Sequence, residues 1–289
     1  MLKMNIGIIG LGLIGGSMAK ALKKYTAHCV YGEDIQQQVC QQALRDGAID
    51  TVLTPELYQQ CQVIIVALYP QLAIDAISSH AADIAPGTLV VDCCGVKEPL
   101  WESLAPLAKE HCFTFIGGHP MAGVENFGYS AASADLFAGA SMILTPAPDE
   151  EQQRVSQAEQ LFLSIGFKRI CRCTPQEHDR MIAYTSQLAH IVSSAYVQSP
   201  AAMKHLGFSA GSFQDMTRVA KLNEQMWVEL FLDNKQNLLD ELDGLITRLQ
   251  QFSAAITTEN RDNLFALLHE GRITREAINN KEHLAEEKQ

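Results

Sequence analysis

The chain has no excess of positive charge: 22 Lys and Arg face 33 Asp and Glu, a formal net charge of -11 over 289 residues. Nucleic-acid and anionic-membrane surfaces need clustered Lys and Arg, so neither is expected as a partner. Any anionic ligand must then be held by a few locally placed cations. No run of about 18 uninterrupted apolar residues, the length a spanning helix needs, occurs. The apolar stretch 6–18 is broken by five glycines and closed by no small-residue cleavage site. It reads as folded structure rather than as a signal peptide. The eight cysteines (29, 40, 61, 93, 94, 112, 171 and 173) form no CxxC pair and no Cys/His spacing suited to zinc. They read as small core residues in a reducing compartment, so no metal is expected and the location is taken as cytoplasmic.

What is present suits a globular enzyme, with 47% hydrophobic and 19% charged residues. At this length a single core stops growing, so two domains are expected. A strand over 5–9 leads into Gly10-Leu11-Gly12-Leu13-Ile14-Gly15 and a helix over 16–24. This is GxGxxG in strand–turn–helix context. The first glycine makes the turn, the second lets backbone approach a pyrophosphate, and the third packs helix on strand. A second strand over 28–32 ends at Glu33-Asp34, and Asp34 stands where an acid hydrogen-bonds the adenosine ribose. A carboxylate there repels a 2′-phosphate, so the cofactor is expected to be NAD rather than NADP.

Alternation continues with a helix over 36–45, a strand over 63–68, a helix over 72–84 and a strand over 88–92. A helix reaching 109, a strand over 113–116, a strand over 141–144, a helix over 150–165 and a strand over 167–173 follow. Such spacing means βαβ units and a mostly parallel, doubly wound sheet of Rossmann type. The strand over 113–116 runs into Gly117-Gly118-His119-Pro120-Met121-Ala122-Gly123, read as a rigid loop that presents His119 into the crevice. After Thr174-Pro175 no strand is expected, and no Pro/Gly/Ser linker precedes the change. The chain therefore divides into a dinucleotide-binding domain over 1–173 and an all-α domain over 174–289. On the latter, Asp179, Ala183, Ser186 and His190 fall on one helical stripe, and 236–252 is apolar enough to bury a face against a second copy. No regulatory domain is expected after Arg275.

These motifs resemble prephenate dehydrogenase, in the prephenate and arogenate dehydrogenase family of tyrosine synthesis. The resemblance covers nearly the whole chain. It rests on the glycine loop, on Gly117 to Gly123, on Glu177-His178-Asp179 with Ser186 and His190, and on Phe213-Gln214-Asp215-Met216-Thr217-Arg218 with Met226-Trp227. It implies that His119 is the catalytic base on the ring hydroxyl and that Arg218 holds the ring carboxylate. His190 and Trp227 would lie near the substrate side chain, with Trp227 supplied by the partner of a homodimer formed through the helical domain. Glu125 and Asp215 match acids that network with that arginine. Ser186 and Gly211 are placed with the substrate contacts, and Leu68 with the cofactor contacts of Gly10 to Gly15 and Asp34. Two departures stand out. The family often carries serine where this chain has Gly95, so a water or another side chain must orient the histidine. Ser186-Gln187-Leu188-Ala189-His190 also differs from the more usual Ser-His-Leu-Pro-His.

The implied reaction is NAD-dependent oxidative decarboxylation of prephenate to 4-hydroxyphenylpyruvate. An imidazole suits the base and a guanidinium fork suits the carboxylate. Arogenate, with an amino group for the side-chain keto group, is the alternative substrate. A hydroxyacid dehydrogenase would need a catalytic lysine on the interdomain helix, and 182–197 contains none. A non-enzymatic NAD-binding regulator is the third reading, distinguished by absence of turnover.

Overall fold

The computed structural model describes residues 3–124 and 126–286. Its strands are β1 Asn5–Ile9, β2 Cys29–Glu33, β3 Thr51–Val52, β4 Val63–Val66, β5 Leu89–Asp92, β6 Thr114–Pro120, β7 Ser141–Thr145 and β8 Arg169–Arg172. They form one eight-stranded sheet in the order β3-β2-β1-β4-β5-β6-β7-β8. Pairing is parallel from β3 to β6 and again between β7 and β8, while β6 and β7 run antiparallel. Strand order reverses between β1 and β4, and in such sheets the ligand crevice opens at the carboxyl ends of those strands.

Side chains alternate across the sheet with period two, which assigns its two cores. Ile6, Ile8, Val63, Ile65, Leu89 and Val91 face one side, and Ile9, Ile64, Val66 and Val90 the other. Helices α1 Leu13–Tyr25 and α2 Gln37–Arg45 cover the first side through Met18, Leu22, Cys40 and Ala43. After the short α3 Pro55–Tyr58, helices α4 Pro70–His80 and α5 Glu98–His111 cover the second through Ala73, Ile77, Leu100 and Leu104. Helix α6 Gln152–Ser164 returns to the first with Val155, Leu161 and Phe162. Both faces of β4 and β5 are thus covered, and every residue of each is buried.

Beyond β8 the described chain is helical: α7 Pro175–Ile182, α8 Leu188–Val197, α9 Gly211–Thr217, α10 Glu224–Asp233, α11 Lys235–Thr257 and α12 Arg261–Glu286. Helix α7 starts at a capping box. Thr174 Oγ1 accepts from Glu177 N (3.2 Å), Glu177 Oε2 accepts from Thr174 N (2.9 Å), and Pro175 occupies the first turn. By its internal contacts the chain separates into two compact units, Met1–Asn237 and Leu238–Gln289. In the first, Leu230 of α10 joins the core on the α4/α5 side of the sheet.

Two local expectations are corrected. The chain does not leave the sheet before His119. β6 runs on through Pro120, its first half paired with β5 and Gly117 to Pro120 paired with β7. The glycines allow this close approach: a Cβ on Gly118 would lie 2.4 Å from Asp92 O. Nor do Asp179, Ala183, Ser186 and His190 line one unbroken helix. A π-helical segment, Ala183–Gln187, separates α7 from α8, so Asp179 and His190 serve different neighbours.

Candidate active site

The geometry of the glycine loop is compatible with the three tasks its spacing implies. Gly10 has φ +86, and a Cβ there would come within 2.7 Å of Ala67 O and of a Leu68 methyl. A Cβ on Gly15 would lie 1.8 Å from Gly10 O, so helix and strand touch only through glycine. A Cβ on Gly12 would enter open space, the room a pyrophosphate requires. Helix α1 begins there without a side-chain cap, so the first-turn amides around Leu13 and Ile14 and the helix dipole favour an anion. Leu11 is buried in the core and contributes its backbone: Leu11 N donates to Asp34 Oδ2 (2.9 Å), while Asp34 Oδ1 accepts from Gln36 N (2.9 Å). Asp34 thus braces the glycine loop from just beyond the end of β2. Its neighbour Glu33 is occupied by the Tyr58 hydroxyl (2.6 Å).

His119 lies near the carboxyl end of β6, on a foundation of buried charge. Asp92 ends β5, and its carboxylate accepts from Cys94 N (2.8 Å), Gly118 N (3.1 Å) and the Lys97 ammonium. Lys97 Nζ also donates to Gly118 O (2.6 Å), and both side chains are essentially inaccessible. Breaking one member of such a pair leaves an uncompensated buried charge, typically costing about 3–5 kcal/mol. The pair clamps the backbone immediately before His119.

The half-buried His119 places Nδ1 2.9 Å from His178 Nε2. His178 Nδ1 in turn lies 2.6 Å from Asp179 Oδ1. Asp179 is held by Lys97 N on Oδ1 and Glu98 N on Oδ2, both at 2.8 Å, which also ties α7 to the start of α5. Burial, then the neighbouring His178 and the Lys97 charge, hold the His119 imidazole well below its ordinary range. Burial and Lys97 push His178 down to about 3 against the opposing pull of Asp92. Burial raises the Asp179 carboxyl, opposed by the two amides and Lys97. The His178–Asp179 contact is therefore a neutral imidazole beside a carboxyl group rather than an ion pair.

On the helical side His190 stacks on Trp227, ring centroids 3.8 Å apart at 29°. Its Nδ1 donates to Ser186 O (2.9 Å), and burial, with Arg218 nearby, lowers its pKa. Arg218 is exposed and opens the turn Arg218–Ala220, which packs on α8. Gly211 starts α9 with open space where a Cβ would be. Trp227 meets His190 of its own chain through this stack. Among the described residues Asp215 makes no ion pair with Arg218, and Glu125 lies outside them. Gln187, the departure from the usual histidine, is buried: its Nε2 donates to Leu230 O (2.9 Å), and its Oε1 accepts from Asn234 Nδ2 (2.8 Å). Among the described residues no cluster of three or more His, Cys, Asp or Glu could hold a metal.

Sequence reasoning assigned no role to His178, Asp179, Asp92 or Lys97. The Thr174-to-Glu177 box announces a helix start that carries His178 and Asp179 in its first turns. Nothing in a spacing of 59 residues says that His178 meets His119.

The model of the prephenate dehydrogenase nucleotide-binding domain matches residues 18–171, and that of the prephenate dehydrogenase dimerization domain matches residues 174–270. A prephenate dehydrogenase of Bacillus subtilis is 30% identical over 273 residues, covering 91% of this chain and 73% of that protein. The crystal structure of Synechocystis arogenate dehydrogenase superposes with a TM-score of 0.82 at 28% identity, covering 95% of this chain and 100% of that one. That of prephenate dehydrogenase from A. aeolicus, in complex with hydroxyphenyl propionate and NAD+, gives 0.82 at 26% identity over 96% and 99%. With both domain models matched in order along one chain, this protein belongs to the prephenate dehydrogenase family.

Proposed function

We propose that this chain converts prephenate to 4-hydroxyphenylpyruvate and carbon dioxide with NAD+. The observation that carries the reading is His119, held by its Nδ1 near the carboxyl end of β6 on the edge that carries the glycine loop, so that Nε2 remains to meet a ligand. Bound in the cradle of Gly10, Leu11, Gly12, Leu13, Ile14 and Gly15, NAD+ supplies the hydride acceptor. Gly12 leaves room for the pyrophosphate, Leu68 borders the loop, and Asp34 takes the ribose hydroxyls while opposing a 2′-phosphate.

His119 Nε2 removes the proton of the ring hydroxyl as hydride leaves the carbon that bears it. The bond to the ring carboxylate carbon then breaks, its electron pair enters the ring, and carbon dioxide departs from an aromatic product. A positioned base commonly contributes about 10²–10⁴-fold to such a step. Arg218 supplies the fixed cation that an acidic chain needs for an anionic substrate, with Ser186, His190, Trp227 and Gly211 around the side chain. Arg218 must anchor that carboxylate without over-stabilising it, since its charge leaves as carbon dioxide.

One observation favours the second reading, arogenate. His190 spends its Nδ1 proton on Ser186 O, so the neutral ring offers Nε2 only as an acceptor. An acceptor suits the ammonium of arogenate better than the keto oxygen of prephenate. Steady-state NADH formation with both substrates on the full chain is the test. Higher kcat/KM with prephenate supports the first reading, higher kcat/KM with arogenate the second, and turnover of neither defeats both.

The working form we propose is a cytoplasmic homodimer built through the helical region 174–289, with the dinucleotide domain over 1–173. Leu239, Ile246, Leu249 and Ile256 fall on one stripe of α11 and are exposed in the single chain, as are Phe265 and Leu268 of α12. The chain also matches the family's dimerization-domain model. All eight cysteines are free, in keeping with a reducing compartment, and no helix among the described residues is long and apolar enough to cross a membrane.

A further inference from the structure

We infer that His178, backed by Asp179, is the positioning residue that fixes the tautomer of His119, keeping the proton on Nδ1 and the Nε2 lone pair free. The inference rests on the reading of His119 as the base and says how that base is armed. An isolated neutral imidazole has one N–H and two nitrogens on which to carry it, and only the form with Nε2 bare can accept a proton there.

The geometry chooses between the two forms. Asp179 Oδ1 and Oδ2 each accept a backbone N–H, from Lys97 and Glu98, the pattern of a carboxylate. His178 Nδ1 lies 2.6 Å from Oδ1, so its proton sits on that nitrogen; two lone pairs would repel at this distance. Because burial keeps His178 neutral, it has no second proton, and its Nε2 is an acceptor. That Nε2 lies 2.9 Å from His119 Nδ1, which must therefore be the donor. The order Asp179–His178–His119 thus runs with every hydrogen bond pointing toward the carboxylate, as an orienting acid does for a catalytic histidine elsewhere. Asp92, Lys97, Glu98, Cys173 and Asp233 surround the pair electrostatically. Of these Lys97 is the cation, and it favours an ionised Asp179.

A Cβ on Gly95 would stand 3.2 Å from Leu230 Cδ2, a tight approach that Leu230 would relieve by giving a few tenths of an ångström. The group that orients His119 comes instead from α7.

Histidine-selective ¹⁵N NMR on the full chain reads the tautomers directly, with His119 and His178 assigned by single substitution. The expected result is Nδ1–H on both rings at neutral pH. His178→Leu should let His119 drift toward the Nε2–H form and lower kcat at least about tenfold with little change in KM. His178→Gln, whose amide oxygen can accept from Nδ1, should keep the His119 tautomer and most of the activity. An Nε2–H His119 in the unaltered protein, with the proton moved onto Asp179, would overturn the inference. So would unchanged tautomer and kcat in a folded His178→Leu, its folding checked by melting. The NMR readout needs no turnover, so correct tautomers in a chain that oxidises neither substrate would refute the proposed function and leave the positioning intact.

Discussion

At the residue scale, the deepest consequence of the site is that desolvation holds His119 and His178 in their neutral forms. His178 titrates at about 3 in the folded chain against 6.5 unfolded. Between those values the unfolded chain binds the extra proton and the native chain does not, so this contribution to stability rises with pH and is lost as pH falls from 6.5 toward 3. His119 acts in the same direction. Asp179, raised by burial, acts oppositely above 3.8. Urea unfolding of the unaltered chain and His178→Gln across this window should show a shallower acid loss in the variant; parallel curves would assign the acid sensitivity elsewhere. The depressed His119 pKa also places the acid limb of kcat/KM below pH 6.5, since a base is active when unprotonated. Arg218 belongs to this scale too. A charge-assisted pair with a carboxylate is worth about 1.5–3 kcal/mol, or roughly 10–150-fold in affinity. Arg218→Ala should raise KM for the substrate far more than it lowers kcat, because the contact precedes the transition state. An unchanged KM with a lower melting temperature would make Arg218 a structural residue only.

At the element scale, what was legible in the sequence is what has a local cause. The strand–glycine–helix unit, the buried runs of β4 and β5, and the switch to helix after Thr174-Pro175 each follow from periodicity, turn chemistry or capping. The misreadings share a different origin. β6 continues through His119 because β7, more than twenty residues later, offers Gly117 to Pro120 a partner. The π-helical segment, the two-residue β3 and the pairing of His119 with His178 likewise depend on contacts between distant parts of the chain. Asn234 shows the same dependence: its Nδ2 donates to Asp179 O and to Gln187 Oε1, both at 2.8 Å, joining α10 to both sides of the π segment. An unpaired buried polar group costs about 1–3 kcal/mol. Asn234→Ala should therefore lower the melting temperature by several degrees and lower kcat as the His178–Asp179 support loosens. A melt within a degree of the unaltered chain would show that α7 and α8 hold their course without it.

At the scale of the whole molecule, a doubly wound sheet supplies the cradle at its strand-order reversal and His119 from β6, while the helices beyond β8 bring His178, His190 and Arg218. The claim joining them is that one imidazole, His119, takes the hydroxyl proton as hydride leaves. Its most direct test is steady-state NADH formation by the unaltered chain and His119→Asn, with prephenate and NAD+, across the pH range. Asparagine can still donate to His178 Nε2, so the fold and both KM values should persist while kcat falls by about 10²-fold or more. Near-normal turnover by His119→Asn at every pH would contradict the account and move the base elsewhere, with His190 the first residue to test.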